Sequence, residues 1–399
     1  MSRPPAVTSE SPRAVVAGHI CLDLMPGLGS RALDLRPGAL RIVEPMTIST
    51  GGSVSNTGIA MHRLGVRTRL VALAGDDPLG GVLRDVLERE SPGLGSGLVV
   101  RAGARTSYSV ILSSPDTDRI VLHYPGANDD FRARDLTPEA LRGAELLHVG
   151  YPPLMRGLCE GDGAELEAIL RAAHAAGIAT SLDMAEPDER VGEVDWRRLL
   201  QRVLPVTDIF LPSLGELERM LCGAGREART ETSIPDEATI RGLAEECLGF
   251  GCAIAGVKLG RHGLYLHTAA AGRIAELHGR LPGIDPGAWS NRELWSPVFE
   301  VRVRGTTGSG DATIAGFLAA LLDRRDPVAA LNFACAVGSL CVEADDAVSG
   351  IGGRAQADAR VRSSLVRPAP PLPATWQPHS DGVLAGPNDQ GGSRTARID

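Results

Sequence analysis

Short apolar and β-branched runs alternate along this chain with longer amphipathic segments, and this alternation restricts the possible folds more than any other feature. The predicted strands cover residues 15–24, 68–74, 146–149, 180–183, 208–211 and 253–259. The predicted helices cover residues 53–64, 79–90, 164–176, 215–221 and 238–248. Strands and helices in regular succession are typical of a mostly parallel sheet with helices on both faces. We therefore expect a doubly wound α/β fold.

Three segments interrupt this alternation. Residues 106–113 and 119–124 predict a β-hairpin across a turn-rich link, and residues 35–49 are β-like without a helical period. We expect a small accessory β-sheet, with lid segments at about 25–50 and 105–127, that covers the main domain. Residues 271–296 contain glycine, proline and tryptophan and are expected to be irregular.

The composition changes at both ends of the chain. The 399 residues suit one large domain or two modest ones, and we expect a single domain over residues 14–366. Residues 1–13 contain three prolines and no apolar run, so they are expected to be disordered and do not resemble a signal peptide. Residues 367–399 are rich in proline, glycine, serine and aspartate, which also predicts disorder.

The bulk properties exclude several classes of protein. A net charge of −8 without a basic stripe argues against binding to nucleic acid. No stretch approaches the roughly 20 apolar residues that cross a bilayer, so no membrane partner is expected. The seven cysteines are scattered, with no Cys-x-x-Cys pair, and mostly lie in apolar segments. This pattern predicts reduced core cysteines in a soluble, cytoplasmic protein.

Residues 305–317, Gly-Thr-Thr-Gly-Ser-Gly-Asp-Ala-Thr-Ile-Ala-Gly-Phe, carry the strongest chemical signal. Gly308, Ser309 and Gly310 precede an Ala-rich helical run, so their N–H groups would form an anion site at a helix N-terminus. Asp311 would repel a bound phosphate, but it suits a base that takes a proton from the group attacking that phosphate. The loop therefore predicts phosphoryl transfer, and its spacing is not that of a Walker A motif.

Two other pieces suit a polyhydroxyl ligand. Gly51 and Gly52 precede a predicted helix, and Asn56 in its first turn offers both a donor and an acceptor to hydroxyl groups. Asp23 is expected at the end of the first strand, where ligands collect in open α/β sheets. Simple helix capping and a strand-end turn are the structural alternatives for these residues.

Taken together and in this order, these pieces resemble the ribokinase-like (PfkB-type) carbohydrate kinase family over roughly residues 14–353. Residues 51–65 resemble its N-terminal signature and residues 306–311 its C-terminal one. Residues 75–80, 126–128, 213–216 and 258–263 resemble other family motifs in family order. The resemblance implies a doubly wound domain with a small β-sheet lid, which agrees with the alternation described above.

The resemblance also implies roles for individual residues. The catalytic group would be Asp311 as base, with Gly308, Ser309 and Gly310 as the anion hole. The sugar-binding group would be Asp23, Gly51, Gly52, Asn56 and Asn128. ATP would be bound by Lys258, Gly260, Gly263, Thr307 and Cys335, and Mg²⁺ would be organised by Glu216. Dimerisation through the lid sheet occurs in the family, so a homodimer is a further expectation.

Three positions depart from the family pattern. Ser213 stands where Asn usually begins the Asn-x-x-Glu motif, which puts that side of the metal site in doubt. Gly305 replaces a frequent Asp, which puts activation by a monovalent cation in doubt. Cys335 replaces a frequent Asn near the adenine, so the nucleotide contacts could differ.

The resulting hypothesis is ATP-dependent phosphorylation of a hydroxyl on a sugar or polyol. A nucleoside kinase of the same fold is the nearest alternative, although aromatic residues make up only 4% of the chain. A non-catalytic regulator that binds a sugar or nucleotide is the alternative from another class. A dinucleotide-binding oxidoreductase is excluded, because the first predicted strand carries Gly18-His19-Ile20-Cys21 and not a Gly-x-Gly-x-x-Gly turn that opens a helix.

Overall fold

The computed structural model describes residues 11–29, 37–38, 40, 42–114, 117–187, 191–223, 236–368, 372 and 375–391. The strands are β1 (Ala14–Gly18), β2 (Cys21–Gly27), β3 (Glu44–Gly51), β4 (Thr68–Gly75), β5 (Leu98–Arg101), β6 (Tyr108–Ser114), β7 (Thr117–Tyr124), β8 (Leu146–Gly150), β9 (Ala179–Leu182), β10 (Ile209–Phe210), β11 (Ile254–Lys258), β12 (Leu264–Thr268), β13 (Glu293–Ser296), β14 (Gln377–Pro378) and β15 (Leu384–Ala385).

The helices are α1 (Ser53–Arg63), α2 (Pro78–Glu90), α3 (Pro138–Leu141), α4 (Arg156–Ala175), α5 (Trp196–Val203), α6 (Leu214–Cys222), α7 (Glu237–Phe250), α8 (Ala271–Arg280), α9 (Pro286–Trp289), α10 (Ser309–Leu322), α11 (Pro327–Cys341) and α12 (Arg354–Val361). Several begin at an Asp-Pro pair. Asp77 caps α2 by accepting a hydrogen bond from Gly80 N, and Asp326 caps α11 in the same way from Ala329 N. Proline suits the first helical position because its missing N–H would have no partner there.

The main sheet has the strand order β14-β15-β13-β12-β11-β10-β9-β8-β1-β4-β5. The strands from β5 to β11 in this order run parallel, and β12, β13, β15 and β14 add antiparallel pairs. Successive residues of β1 face opposite layers: Val16 packs with α1, α10 and α11, whereas Val15 packs with α4, α5 and α7. Each face therefore has its own apolar core, and the predicted doubly wound α/β fold is confirmed.

A second, four-stranded sheet has the order β3-β2-β6-β7. It contains the predicted hairpin as β6 and β7, and the β-like segment in part as β3; residues 30–36, 39, 41, 115 and 116 lie outside the described residues. In its register Asp23 of β2 lies opposite Ser49 and Ser109, and Ser109 lies opposite His123. We call this sheet the lid.

The single strand predicted over residues 15–24 is wrong. The chain leaves the main sheet at Gly18, whose φ is 125° and where a Cβ would lie 2.4 Å from Gly150 O. It then enters the lid as β2, so Asp23 belongs to the lid and does not end a strand of the main sheet. A local run of apolar residues cannot reveal this break, because the close backbone approach involves a residue distant in sequence.

Two other expectations also differ from the structure. Residues 271–296, expected to be irregular, contain α8, α9 and β13. The described part of residues 367–399, expected to be disordered, includes the hairpin β14–β15, which pairs with β13. Trp376 packs against Trp295, and Arg292 forms a buried ion pair with Asp389 at 2.7 Å. Residues 1–10 and 392–399 lie outside the described residues.

Within the described part of the chain, no helix is long and apolar enough to cross a membrane.

Candidate active site

Polar side chains meet where the parallel strands of the main sheet end. His19 follows β1 closely, Tyr151 follows β8, Asp183 follows β9, and Lys258 is the last residue of β11. The carboxyl ends of parallel strands lie at one edge of the sheet, which is the usual ligand site in open α/β folds. Helix α10 begins at the same edge, because its first residues contact Lys258.

The N-terminus of α10 depends on glycine at position 308, and Gly310 lies close to Lys258. Gly308 caps the helix with a φ of 73°, and a Cβ there would lie 2.4 Å from the Cβ of Ala347. A Cβ on Gly310 would lie 3.7 Å from Nζ of Lys258. The N–H groups of Gly310 and Asp311 have no acceptor within the helix, since the first turn of any helix lacks one. The predicted anion hole is therefore a helix terminus with a cation beside it.

Asp311 lies in the first turn of α10 and is 1% exposed. Its Oδ2 accepts hydrogen bonds from Asn56 Nδ2 at 2.9 Å and Tyr151 Oη at 2.7 Å, and its Oδ1 accepts one from Thr57 Oγ1 at 3.2 Å. Burial raises the pKa of Asp311, and these hydrogen bonds and Lys258 oppose that rise without cancelling it. A carboxylate with a raised pKa, held by neutral donors, is suited to accept a proton.

Lys258 is the only lysine of the chain, and its ammonium group pairs with Oδ1 of buried Asp183 at 2.6 Å. Burial by itself would lower the pKa of Lys258, but the charges of Asp183 and Glu216 outweigh it and raise that pKa. Burial also raises the pKa of Asp183, whose Oδ2 is buried without a hydrogen-bond partner. The charged ammonium group therefore lies next to the predicted anion hole.

Glu216 and Ser213 form a capping box at the start of α6. Ser213 Oγ accepts a hydrogen bond from Glu216 N, and Glu216 Oε2 accepts one from Ser213 N at 2.7 Å. Ser213 also bridges to Lys258 through the backbone. Serine and asparagine are both good N-caps, so Ser213 can orient Glu216 even though it departs from the family pattern.

Among the residues predicted to bind hydroxyl groups, Gly51 lies against Asp23, and Asn56 contacts Asp311. A Cβ on Gly51 would lie 2.3 Å from Asp23 Oδ2, so only glycine leaves room for that carboxylate. Gly52 has a φ of 85° and caps α1, which presents Asn56 to Asp311. The structure thus brings Asp23 next to Gly51, and Asn56 next to the candidate base.

A histidine pair joins the lid to the main domain. His19 Nε2 lies 3.3 Å from His123 Nε2, and His123 Nδ1 lies 3.1 Å from Ser109 Oγ. The ring of His19 also packs against that of Tyr151, with centroids 6.2 Å apart. Sequence reasoning did not single out His19, His123 or Tyr151; for His19 and Tyr151, the position directly after a parallel strand was the available signal.

Asn128, predicted to bind the sugar, makes two hydrogen bonds to the backbone of Ile20. Its amide is fully buried, its Nδ2 donates to Ile20 O at 2.8 Å, and its Oδ1 accepts from Ile20 N at 3.3 Å. These two bonds hold the turn between β1 and β2. Asn128 therefore supports the point where the chain enters the lid.

Four more residues are predicted to bind the nucleotide beside Lys258: Gly260, Gly263, Cys335 and Thr307. Gly260 and Gly263 have positive φ values, and a Cβ on Gly263 would lie 2.0 Å from Ser296 O. Cys335 Sγ donates to the same carbonyl at 3.5 Å, and burial raises the pKa of its thiol. Thr307 is partly exposed just before the anion hole, and its carbonyl accepts a hydrogen bond from Cys341 Sγ.

The sequence profile described as "pfkB family carbohydrate kinase" matches residues 13–235 and 287–351, which is more than half of the chain. The chain belongs to the pfkB family of carbohydrate kinases. Its relatives include an ATP-dependent ribose-1-phosphate kinase of Halopiger xanaduensis, 27% identical over 82% of this chain and 91% of that protein. Fructokinase-2 of Solanum habrochaites is 24% identical over 83% of this chain and 90% of that protein.

Solved structures show the same fold. An Arabidopsis thaliana ribokinase complexed with ribose and ATP superimposes with a TM-score of 0.67 at 21% identity, covering 89% of this chain and all of that one. A Thermotoga maritima ribokinase superimposes with a TM-score of 0.65 at 19% identity, covering 88% of this chain and all of that one. The ribokinase-like architecture, with its separate small sheet, is therefore shared.

Proposed function

We propose that this kinase transfers the γ-phosphoryl group of ATP to a hydroxyl group of a sugar or sugar-like small molecule, with Asp311 as general base. The observation that carries the proposal is the position of Asp311: a buried carboxylate in the first turn of α10, next to the anion hole and to Lys258. The names of the family relatives, which include a ribose-1-phosphate kinase and a fructokinase, support a sugar as the acceptor.

In the proposed reaction, Asp311 takes the proton of the acceptor hydroxyl while its oxygen attacks the γ-phosphorus in line. Asp23, Gly51, Gly52 and Asn56 would hold the acceptor on the lid side of the base. The N–H groups of α10 around Ser309, together with Lys258, would stabilise the charge on the phosphoryl oxygens. Closure of the lid would exclude water that could otherwise accept the phosphoryl group.

The donor set near Lys258 fits a magnesium ion. Within the described residues no group of three or more His, Cys, Asp or Glu side chains converges on one point. Mg²⁺ at nucleotide sites needs only one or two carboxylates, since water and phosphate oxygens complete its shell. Glu216 would hold the ion, and Asp183 beside it has an oxygen with no hydrogen-bond partner. When bound, Mg²⁺ would neutralise charge on the phosphate oxygens.

The nucleotide would lie along Lys258, Gly260, Gly263, Thr307 and Cys335. The close approach of Gly263 and Cys335 to the same carbonyl, Ser296 O, supports a common wall for this part of the site. Gly305 lacks a carboxylate, so we do not expect a monovalent cation to activate the enzyme.

A screen of ATP consumption against sugars, polyols and nucleosides tests the proposal, with Asp311→Asn as the blank. We expect turnover with at least one sugar or polyol, and none above background with the variant. Turnover with nucleosides alone would favour the nucleoside kinase. Bound ATP without turnover on any acceptor would favour a non-catalytic regulator and would overturn the proposal.

We also propose a homodimer through the lid. Apolar side chains of β3 and β7 are exposed, among them Met46 at 51% and Leu122 at 56%. Exposed apolar patches of this kind often mark protein interfaces. Sedimentation should show a dimer that Leu122→Asp converts to a monomer, whereas Val303→Asp, exposed elsewhere, should leave it intact. A monomeric wild-type protein would contradict this assignment.

A cytoplasmic location remains a prediction. All seven cysteines are free in the structure, and six of them are buried, which suits a reducing compartment.

A further inference from the structure

Tyr151 contacts the candidate base directly, although no motif drew attention to it. Its hydroxyl donates to Asp311 Oδ2 at 2.7 Å, which is shorter than the hydrogen bonds from Asn56 and Thr57 to the same carboxylate. Tyr151 immediately follows β8, whose last residue, Gly150, pairs with Gly18 where the chain leaves for the lid. Tyr151 therefore connects the centre of the main sheet with the proton acceptor.

The backbone of Tyr151 is held in a conformation that tyrosine rarely adopts. Its φ is 61° and its ψ is 41°, in the left-handed region where a Cβ is disfavoured. Pro152 and Pro153 follow, and Leu154 N donates to Tyr151 O at 3.0 Å, which closes a tight turn. Strained residues persist where surrounding contacts over-determine them, and they cluster at functional sites. This turn directs the phenol toward Asp311.

The two carboxylate oxygens of Asp311 accept different numbers of hydrogen bonds. Oδ2 accepts from Asn56 and Tyr151, whereas among the described residues Oδ1 accepts only from Thr57. A carboxylate oxygen has two lone pairs, so Oδ2 is filled and Oδ1 retains one acceptor site. Asn56 and Thr57 both belong to α1, and Tyr151 holds the carboxylate from a different element.

We propose that Tyr151 is a positioning residue for the base: its hydroxyl holds Oδ2 so that Asp311 stays ionised and presents Oδ1 to the acceptor hydroxyl. In the reaction, the proton of that hydroxyl moves to Oδ1, the new bond to the γ-phosphorus forms, and the bond between this phosphorus and the bridging oxygen breaks to release ADP. This inference rests on the proposed function, and specifically on Asp311 as the base.

Tyr151 remains a donor throughout. Burial and the charge of Asp311 raise the pKa of its phenol well above the usual value, so it keeps its proton at neutral pH. The other titratable groups around the pair are Lys258 from β11, Asp183 after β9, Glu216 on α6, Cys341 on α11 and His19 after β1. Tyr151→Phe leaves all of these groups in the protein and removes only the phenolic hydroxyl.

The test is Tyr151→Phe, read through the pH dependence of kcat/KM. Loss of a hydrogen bond to the ionised form raises the pKa of the base, so the acid limb should move up by about one pH unit. We expect kcat on the plateau to fall about tenfold because the base is less well oriented, and KM for ATP to stay within about twofold. An acid limb at the wild-type position would overturn the proposal.

Tyr265→Phe is the matched control. Tyr265 is also buried and donates to a buried carboxylate, Glu293 Oε1, at 3.1 Å, but it lies among Trp295 and Trp376. Its removal should lower stability without moving the acid limb. An equal shift in both variants would indicate a general loss of structure and would also overturn the proposal.

A second measurement does not depend on turnover. The carboxyl carbon of Asp311, assigned by its loss in Asp311→Asn, can be titrated by NMR in the ligand-free protein, and Tyr151→Phe should raise its pKa by about one unit. If Tyr151→Phe does not fold, 3-fluorotyrosine at all four tyrosines should strengthen the donor and lower the same pKa. An unchanged pKa would refute the role of Tyr151, whereas an active Asp311→Asn would refute the assigned base.

Discussion

A buried aspartate lies at each end of the parallel strands of the main sheet, one at the amino edge and one at the carboxyl edge. The two carboxylates have opposite kinds of partner. Asp208 lies just before β10, at the amino edge, where its carboxylate contacts Arg273, Arg280 and His174. Asp311 lies at the carboxyl edge and accepts hydrogen bonds from neutral Asn56, Thr57 and Tyr151 side chains. Both carboxylates are at most 1% exposed.

The pKa values follow from these partners. Burial would raise both, but hydrogen bonds from His174 and Arg280 outweigh it and lower the pKa of Asp208, whereas that of Asp311 stays raised. A carboxylate surrounded by cations stays ionised, and its role is structural. A carboxylate surrounded by neutral donors can still gain a proton, as a general base must.

The largest expected effect of a single change is that of Asp311→Asn on catalysis. We expect kcat to fall by about 10²- to 10⁴-fold, the usual contribution of a positioned base. The midpoint of thermal unfolding at neutral pH should not fall, because the raised pKa makes the charged form unfavourable in the folded state. The hydroxyl groups of Thr57 and Tyr151 can also accept hydrogen bonds from the new amide. A large loss of stability would show that Asp311 is structural, like Asp208.

Asp208→Asn should lower stability and leave catalysis unchanged, which is the converse of the result expected for Asp311→Asn. The variant leaves two partly buried arginines without their shared carboxylate, which should lower the free energy of unfolding by about 3–5 kcal/mol. Chemical denaturation measures this loss, and kcat measured well below the unfolding temperature should be unchanged. A loss of activity in fully folded Asp208→Asn would remove the contrast between the two edges.

Lys258 shares a feature with each aspartate site. It forms an ion pair with the buried Asp183, as the arginines do with Asp208, but it lies at the carboxyl edge with Asp311. Lys258→Met should lower kcat/KM by about 10²-fold through loss of charge beside the anion hole. Because the chain has one lysine, a lysine-directed acylating reagent should modify only Lys258 and the N-terminal amine. Mass spectrometry should show that MgATP protects Lys258 and leaves labelling of the N-terminus unchanged. Equal labelling with and without MgATP would place the phosphates elsewhere.

The smallest predicted effect concerns acid pH. The pKa of Asp208 lies below the 3.8 of a free aspartate, so its contribution to stability is complete above about pH 4 and is lost as pH falls toward the lowered pKa. Each such proton changes stability by up to about 1.4 kcal/mol per pH unit. Denaturation curves between pH 4 and pH 2 should therefore fall less steeply for Asp208→Asn. Parallel curves for wild type and variant would contradict the lowered pKa.

Local patterns predicted the features that depend on local structure. The alternation of strands and helices predicted the doubly wound sheet, and the glycines of residues 305–311 predicted the helix terminus that carries Asp311. The break at Gly18 was missed because its cause, Gly150, is far away in sequence. The contacts of Asp208 were also missed, since they join α4 and α8 to a loop 34 to 72 residues away.

Tyr151 and the C-terminal hairpin show two further reasons why sequence patterns missed features of the structure. A single tyrosine after a strand has no periodicity or spacing, so only its contact with Asp311 reveals its importance. The hairpin is held by backbone pairing with β13 and by a few anchors such as Trp376 and the Arg292–Asp389 pair. Backbone pairing places little demand on composition, and a polar, proline-rich segment can therefore still be ordered.

The position of the hairpin has a consequence for handling the protein. Strand β13 is fully buried beneath it, and the outermost strand is only Gln377–Pro378, a short edge blunted by proline. Such edges resist unwanted pairing between molecules, whereas a longer open edge is a template for aggregation. A chain shortened to residue 351, where the family match ends, would expose the backbone of β13. We expect that shortened chain to aggregate even with its catalytic residues intact.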